Sequence, residues 1–455
     1  MRNDVDDERG CIPRVLIIAE HASESFGGEA ALPLRYFRLL RDRGIPAYLL
    51  THARVRTELE SIFPNEMDHI YFAEETALHR LVWRFGTRLE PRLRHLTTAF
   101  LLRALTQLSQ RQTARRLIHE IGINVVHQPT PVSPREPSFI YGLGVPVIIG
   151  PMNGNMSYPP SFKHEEPVVT RVALVVGRAF TGLLNTLFPG KKRASMLLVA
   201  NQRTREALAS KTQAQIRYLP ENAVDTDVWK SGGSHRRESA TCRFVFVGRL
   251  IQSKGVDLWL RAIERLSQRG IPLSATVIGD GPERASLEEQ AQDHGILATT
   301  LGQTGRVWFA GRRPQSDIAA LLASHDCLVL PTLIESGGAV LLEAMAMGLP
   351  VISTDWGGPA DYVDDSCGIL VPLESREQLV GSLADAMERL ATDAKLREQM
   401  GEAGKMKIQQ HYTWNGKVTQ VIELYREAIA GQIDRQNFDE NEQKQFLGAA
   451  ASSVG

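Results

Sequence analysis

Short apolar runs, glycine turns and helical segments alternate along almost the whole chain. The first run, residues 14–19, is followed by Gly27 and Gly28, a helical segment ending near residue 43, and a second run at 45–51. This order predicts parallel strands joined by helices, as in Rossmann-like βαβ units. Ligands of such sheets bind beyond the carboxyl ends of the strands. Functional residues are therefore expected in the loops that follow the strands.

The alternation predicts two α/β domains. Further strands are expected at residues 124–129, 145–149, 197–200 and 216–220, and then at 242–247, 274–278, 307–311, 327–330, 351–354 and 368–371. A polar, glycine-rich stretch divides the two series, which is typical of a linker. We therefore expect a first domain at 1–228, a linker at 229–240, a second domain at 241–410, and a polar, disordered tail at 431–455.

The most specific motif is a pair of glutamates, Glu335 and Glu343. Glu335 follows a predicted buried strand, and Glu343 lies inside a predicted helix at 339–347. At 1.5 Å of rise per residue the two carboxylates are separated by roughly the length of a diphosphate. A glycine-rich helix N-terminus lies between them, and such an end favours phosphate. The pattern suits a nucleotide sugar, although two surface glutamates beside an amphipathic helix are the alternative.

This block resembles the E-x7-E signature of retaining GT-B glycosyltransferases of family 4, also called glycosyl transferases group 1. The residues that follow it, Gly348-Leu-Pro350 and then Gly357-Gly358, also match the pattern of this family. The resemblance implies an α/β GT-B fold, with two Rossmann-like domains facing each other across a cleft. It implies a nucleoside-diphosphate sugar, UDP or GDP, as donor substrate, with no cofactor. No D-x-D motif stands out as a metal site, and cationic side chains with a helix N-terminus can replace a metal, so we predict metal independence. Residues 411–430 resemble the family's closing segment, which packs back on the first domain.

The resemblance also assigns roles. The motif "G-R-L…K-G" places Gly248, Arg249 and Lys254 on the donor diphosphate, where fixed cations stabilise the charge that develops on the leaving group. Two solvated basic residues are the alternative. Glu335 is assigned to the sugar hydroxyls and Glu343 to the ribose. The backbone N–H groups assigned to the sugar and phosphate are those of Ser336, Gly337 and Gly338. Arg249, Lys254 and Glu335 are thus the predicted catalytic residues.

Two further donor contacts are weaker. Asp280 lies in a Gly-Asp-Gly-Pro turn that either lines the nucleotide side or caps a helix. Gly27 and Gly28 resemble a family loop near the donor phosphate and acceptor, but they also suit a plain tight turn. The family's histidine is missing, and Asn153 lies in the matching stretch. His127 follows an apolar strand, where a lone histidine is more often structural.

Charge is unevenly distributed along the neutral chain. Residues 1–225 have a net charge of +7, and residues 80–116 contain nine arginines and one acidic residue. Residues 80–116 predict basic amphipathic helices, suited to peripheral contact with an anionic membrane or to a polyprenyl or other lipid-diphosphate acceptor. A solvated basic face is the alternative. The neutral chain and the few interleaved aromatic residues argue against nucleic-acid binding.

The cysteines and the apolar runs of the sequence predict the cellular location of the protein. The four cysteines are scattered without metal-ligand spacing, which indicates a reducing compartment and no zinc site. No apolar run is long enough to span a bilayer, and no signal-peptide pattern is visible. We expect a cytoplasmic protein, peripheral at the inner face of the membrane.

The predicted function is retaining transfer of a hexose from a nucleoside-diphosphate sugar to a saccharide or lipid-linked acceptor. Such a reaction belongs to polysaccharide, glycolipid or cell-envelope synthesis. One alternative is a nucleotide-sugar epimerase or hydrolase, for which Glu20, Glu24 and Glu29 are the acidic cluster of the first domain. The other is a non-catalytic nucleotide-sugar-binding partner protein.

Overall fold

A computed structural model describes residues 12–87, 98–165, 182, 184–208, 212–230 and 241–432. Three predicted features lie wholly or partly outside these residues. They are the linker from 231 onward, the tail beyond 432, and residues 88–97 of the basic segment.

Contacts within the chain divide it into two compact units. The first unit takes the described residues of 12–154, 182–221 and 418–432. The second takes residues 155–165, 222–230 and 241–417. The sequence divided the chain at residue 228, whereas the contacts group 155–165 and 222–228 with the second unit. Within that unit, Trp356 Nε1 donates to the Ser157 carbonyl at 3.0 Å.

The first unit contains a seven-stranded sheet in which each pair of neighbours is parallel, in the order β3-β2-β1-β4-β5-β6-β7. Its strands are β1 Val15–Ile18, β2 Ala47–His52, β3 Ile70–Ala73, β4 Val125–Gln128, β5 Val147–Met152, β6 Met196–Val199 and β7 Gln215–Tyr218. Its helices are α1 Gly28–Asp42, α2 Arg56–Ile62, α3 Ala77–Gly86, α4 Thr98–Leu117, α5 Gly190–Arg193 and α6 Gln202–Glu206. The order reverses between β1 and β4, which is where ligands of such sheets bind.

Strand β3 was not predicted from the sequence. Only Ile70 and Ala73 of this strand are buried, while Tyr71 and Phe72 remain half-buried at the edge of the sheet. The strand lacks the continuous apolar run by which the inner strands were found, such as the fully buried Val15–Ile18.

The second unit contains a six-stranded parallel sheet in the order β10-β9-β8-β11-β12-β13. Its strands are β8 Cys242–Val247, β9 Leu273–Ile278, β10 Val307–Gly311, β11 Cys327–Leu330, β12 Val351–Thr354 and β13 Gly368–Val371. Its helices are α7 Val256–Gln268, α8 Arg284–Asp293, α9 Gln315–Ala323, α10 Ala339–Ala346, α11 Gly358–Tyr362, α12 Arg376–Thr392 and α13 Ala394–His411. Residues 414–432 form a last helix, α14. The predicted pair of α/β sheets is confirmed.

Candidate functional site

The order of the second sheet reverses between β8 and β11, and the loops after these two strands meet there. Lys254 closes a short 3-10 turn in the first loop, and Glu335 lies in the second. Lys254 Nζ forms an ion pair with Glu335 Oε2. Both side chains are 17% exposed, so water reaches the pair from one side. The structure thus joins two residues that were predicted to contact the donor separately.

Backbone contacts hold the two loops together. Leu333 N–H donates to the Ser253 carbonyl at 2.8 Å, and Thr332 Oγ1 donates to the same oxygen at 3.1 Å. Gly255 of the first loop has φ +63°, and a Cβ there would be 2.2 Å from the carbonyl oxygen of Pro331 in the second loop. Only glycine fits this approach. The position of Lys254 is therefore fixed by the loop that contains its partner.

The glycine-rich turn after Glu335 leads directly into α10. Gly338 is the N-cap of that helix with φ +74°, and no side chain caps the helix. Glu335 Oε1 accepts from the Gly337 N–H at 3.3 Å, and the Glu335 carbonyl accepts from Gly358 N–H at 2.7 Å. The first N–H groups of an uncapped helix are suited to an anion. Ser336 and Gly337 precede this end, as predicted, and Glu343 is the half-buried fifth residue of α10.

A cleft of about 490 Å³ extends along the carboxyl ends of β8, β9 and β10. The predicted residues Gly248, Arg249 and Asp280 line it, beside apolar side chains of Val247 and Ile278. Asp280 is bonded locally, since its Oδ1 accepts from the Gly281 N–H at 2.8 Å and its Oδ2 lies 3.6 Å from Arg284. It therefore shapes the turn as well as facing the cleft.

Two arginines of this cleft were missed by the sequence analysis. Arg312 and Arg313 follow β10 and line the cleft opposite Arg249. Within the described residues, none of these three guanidinium groups forms an ion pair with the protein. The available sequence signal was two adjacent arginines directly after a predicted strand. Three cations beside apolar walls suit a nucleoside diphosphate.

A second cavity, of about 600 Å³, lies within the first unit at the reversal between β1 and β4. Glu20 and His21 after β1, Glu29 in the first turn of α1, and Trp83 of α3 contribute to its wall. Glu24, the third member of the predicted acidic cluster, points elsewhere and lies 3.6 Å from Arg38.

Gly27 and Gly28 lie at the start of α1, next to this cavity rather than in its wall. Gly27 is the N-cap with φ +104°, and a Cβ at either glycine would meet no atom within 4 Å. The neighbouring residues Phe26 and Glu29 do line the cavity. The two glycines therefore give the chain its turn into α1, and their predicted contact with the donor remains a prediction.

His127 has a structural role. It is fully buried, its Nε2 lies 2.7 Å from the Gly150 carbonyl oxygen, and its Nδ1 lies 2.7 Å from the Tyr425 hydroxyl. Asn153, in the stretch predicted to match the family's histidine motif, donates from Nδ2 to Glu221 at 2.8 Å and accepts from Asn201 at 3.1 Å. Asn153 also lines the cavity of the first unit. It is a fixed polar group in the cavity wall.

The described residues contain no group of three or more histidine, cysteine, aspartate or glutamate side chains arranged to hold a metal ion. Among the same residues, no helix is long and apolar enough to cross a membrane.

The fold has solved counterparts over nearly its whole length. Sucrose-phosphate synthase from Thermosynechococcus elongatus is similar with a TM-score of 0.60 and 18% identity, covering 92% of this chain and all of that one. The HepE protein of Anabaena, solved in complex with UDP, gives a TM-score of 0.58 and 18% identity over 90% and 99% of the two chains. The two parallel α/β units of this chain therefore have the GT-B fold of these neighbours.

The sequence comparisons place the family match in the second half of the chain. Residues 233–407 match the family described as glycosyl transferases group 1. α-D-kanosaminyltransferase of Streptomyces kanamyceticus is 28% identical over 52% of this chain and 61% of its own length. The chain spans about three fifths or less of such curated relatives.

Proposed function

We propose that the protein transfers a hexose from a UDP- or GDP-linked donor to a hydroxyl acceptor, with retention of anomeric configuration and without a metal ion. The observation that carries the proposal is the Lys254–Glu335 pair at the uncapped end of α10. Lys254 would contact the departing diphosphate, and Glu335 would bond the sugar hydroxyls. The UDP complex of the structural neighbour supports this class of donor.

The catalytic contribution of the site is electrostatic. As the bond between sugar and phosphate breaks, negative charge grows on the diphosphate. Lys254, Arg249 and the first N–H groups of α10 would stabilise that charge without having to move. Glu335 holds the Lys254 ammonium in place before the donor binds. Cationic side chains and a helix end would then supply what a metal ion supplies in other transferases.

Nucleotide binding provides the test of the donor site. Calorimetric titration of UDP, GDP and ADP in EDTA should show one nucleotide bound in the micromolar range, as is usual for enzyme substrates. Arg249→Ala should weaken that binding about 10- to 100-fold, because a charge-assisted bond to phosphate is lost. Arg269→Ala is the matched control, because Arg269 pairs with Glu388 of α12 at 2.9 Å. This variant should bind the nucleotide normally. Binding of no nucleotide would contradict the proposal.

We further propose that the protein acts in the cytoplasm, in polysaccharide, glycolipid or cell-envelope synthesis, and contacts the membrane through α3. Three large apolar side chains of this helix, Leu78, Leu81 and Phe85, are 49%, 63% and 61% exposed. At helical spacing they share one face. In the described part of the basic segment, residues 77–87 and 98–117 contain six arginines and no acidic residue. An apolar face with cations nearby suits an anionic bilayer.

The membrane proposal is tested by co-sedimentation with liposomes. Binding should rise with the fraction of phosphatidylglycerol and fall as salt is added, because charge attraction is screened. The double variant Leu81→Ser/Phe85→Ser should bind at least about fivefold less, since each buried apolar side chain contributes more than 1 kcal/mol. The control is Leu301→Ser, which removes a 49% exposed leucine from the second unit. Equal loss in both variants would contradict a specific role for α3.

A further inference from the structure

Two polar side chains in the wall of the cavity of the first unit indicate what kind of ligand it binds. Gln107 and Thr130 line this cavity and are only 3% and 7% exposed. Gln107 Oε1 accepts from the Phe139 N–H at 3.1 Å and from Gln128 Nε2 at 3.3 Å. Within the described residues, no hydrogen bond reaches Gln107 Nε2 or Thr130 Oγ1. The amide of Gln107 and the hydroxyl of Thr130 are therefore available to bond a ligand.

Charged groups surround these two atoms without giving the cavity an excess of cations. The carboxylates of Glu20, Glu29 and Glu136 face the guanidinium groups of Arg54 and Arg103. Arg103 is already paired with Glu136. Glu29 Oε1 accepts from the Val132 N–H at 3.0 Å. Such a mixture of donors and acceptors suits a ligand with many hydroxyls.

Lys191 is a further basic residue behind the cavity wall, and it does not give the cavity an excess of positive charge. Lys191 is buried, and its Nζ donates to the Ser133 carbonyl at 2.7 Å. Burial lowers the pKa of Lys191 to about 7, and burial raises the pKa of Glu136. A diphosphate in this cavity would meet three carboxylates, which repel it. The cavity therefore disfavours the lipid-diphosphate acceptor that the basic segment suggested.

The cavity is also lined by apolar side chains, two of which are open to solvent. Phe26 and Trp83 are 58% and 57% exposed, and Leu102 of α4 lines the wall beside them. Trp83 belongs to α3 and lies on the side of that helix away from the exposed Leu81 and Phe85, because residues two apart on a helix are about 200° apart. An apolar chain leaving the cavity past Trp83 would remain in contact with this helix.

From this arrangement we infer that the cavity binds the acceptor, and that the acceptor is an amphiphile with an uncharged, hydroxyl-rich head group. The head would bond Gln107 and Thr130, and the apolar chain would lie on Trp83 and Leu102. The inference rests on the proposed function in that a glycosyltransferase needs an acceptor. It narrows the class of acceptor to a neutral glycolipid or alkyl-glycoside-like molecule.

Binding of defined probes to the full chain tests the inference without the donor sugar. The probes are methyl and octyl glycosides of glucose, galactose and mannose, below the critical micelle concentration, and geranyl diphosphate. At least one octyl glycoside should bind at least about tenfold more tightly than its methyl counterpart, since the chain buries apolar surface. Trp83→Ala should remove most of this difference. Gln107→Leu should weaken both members of the pair about equally, by about fivefold or more.

Controls separate the possible results. Leu108→Ala removes a 39% exposed leucine of α4 that does not line the cavity, and it should bind all probes normally. Circular dichroism should show that Gln107→Leu is folded, and Thr130→Val provides a second variant at the head-group site. Tighter binding of geranyl diphosphate, equal binding of methyl and octyl glycosides, or binding of neither would overturn the inference. Nucleotide binding in the same samples would leave the proposed donor site intact, whereas its absence would contradict that proposal as well.

Discussion

Replacing Lys254 with alanine is expected to reduce turnover about 100- to 1000-fold, the usual effect of removing one fixed group that stabilises transition-state charge. The ammonium is the part of the Lys254–Glu335 pair that can contact the departing diphosphate. The melting temperature should change by only a few degrees, because a partly exposed ion pair contributes little to stability. Steady-state kinetics and calorimetry on the same samples measure both quantities.

The control for Lys254 is a lysine in a similar pair away from the site. Lys407 lies 2.6 Å from Asp364, with side chains 22% and 55% exposed, and Lys407→Ala should keep normal turnover. Lys254→Ala/Glu335→Ala should be little worse than the poorer single variant, because the two residues act as one unit. Additive losses would show that they act separately. A loss of turnover that merely follows a loss of melting temperature would make Lys254 a structural residue.

Replacing Gly279 with alanine is expected to destabilise the second unit by about 3 kcal/mol or more, from overpacking and from backbone strain together. Gly279 follows β9 with φ +144°, and a Cβ there would be 1.8 Å from the Gly248 carbonyl oxygen. Leu250 N–H donates to the Asp280 carbonyl at 2.9 Å, so the two loops cannot separate without losing this bond. Urea unfolding monitored by circular dichroism measures the free energy.

Gly270→Ala is the matched control for Gly279. Gly270 also has a positive φ of +74°, but a Cβ there would meet no atom within 4 Å. Its cost should be limited to backbone strain, about 1 kcal/mol. Equal destabilisation by the two variants would mean that the contact with Gly248 can relax.

The donor side of the site was predictable because its residues follow strands with strong sequence patterns. Glu335 and the two glycines after it lie between a buried strand and a helix, so their place at the edge of the sheet follows from the order of elements. The pairing of Lys254 with Glu335 was not predictable, since it joins residues 81 apart through the adjacency of β8 and β11. Arg312 and Arg313 were missed because no motif includes them.

The cavity of the first unit was harder to predict. Its wall combines the loop after β1, α3, α4 and the loop after β4, so it exists only once the sheet order is known. Gln107 is one of seven serines, threonines and glutamines on α4, and no sequence pattern distinguishes it from the others. Polar residues directly after apolar strands, such as Glu20 and Thr130, were the available signal. Two arginines of the basic segment bond within the first unit, which their sequence pattern did not predict: Arg103 is paired with Glu136, and Arg111 donates to the Tyr141 carbonyl at 2.7 Å.

The position of the last described helix in the chain determines when the core of the first unit can be completed during synthesis. Tyr425 and Val421 of α14 are fully buried in the first unit, where the Tyr425 hydroxyl meets His127. Residues 222–417, which belong to the second unit, are translated before them. On the ribosome the second unit therefore has all of its residues while the first still has an open core. The unit whose translation begins first is therefore completed after the other.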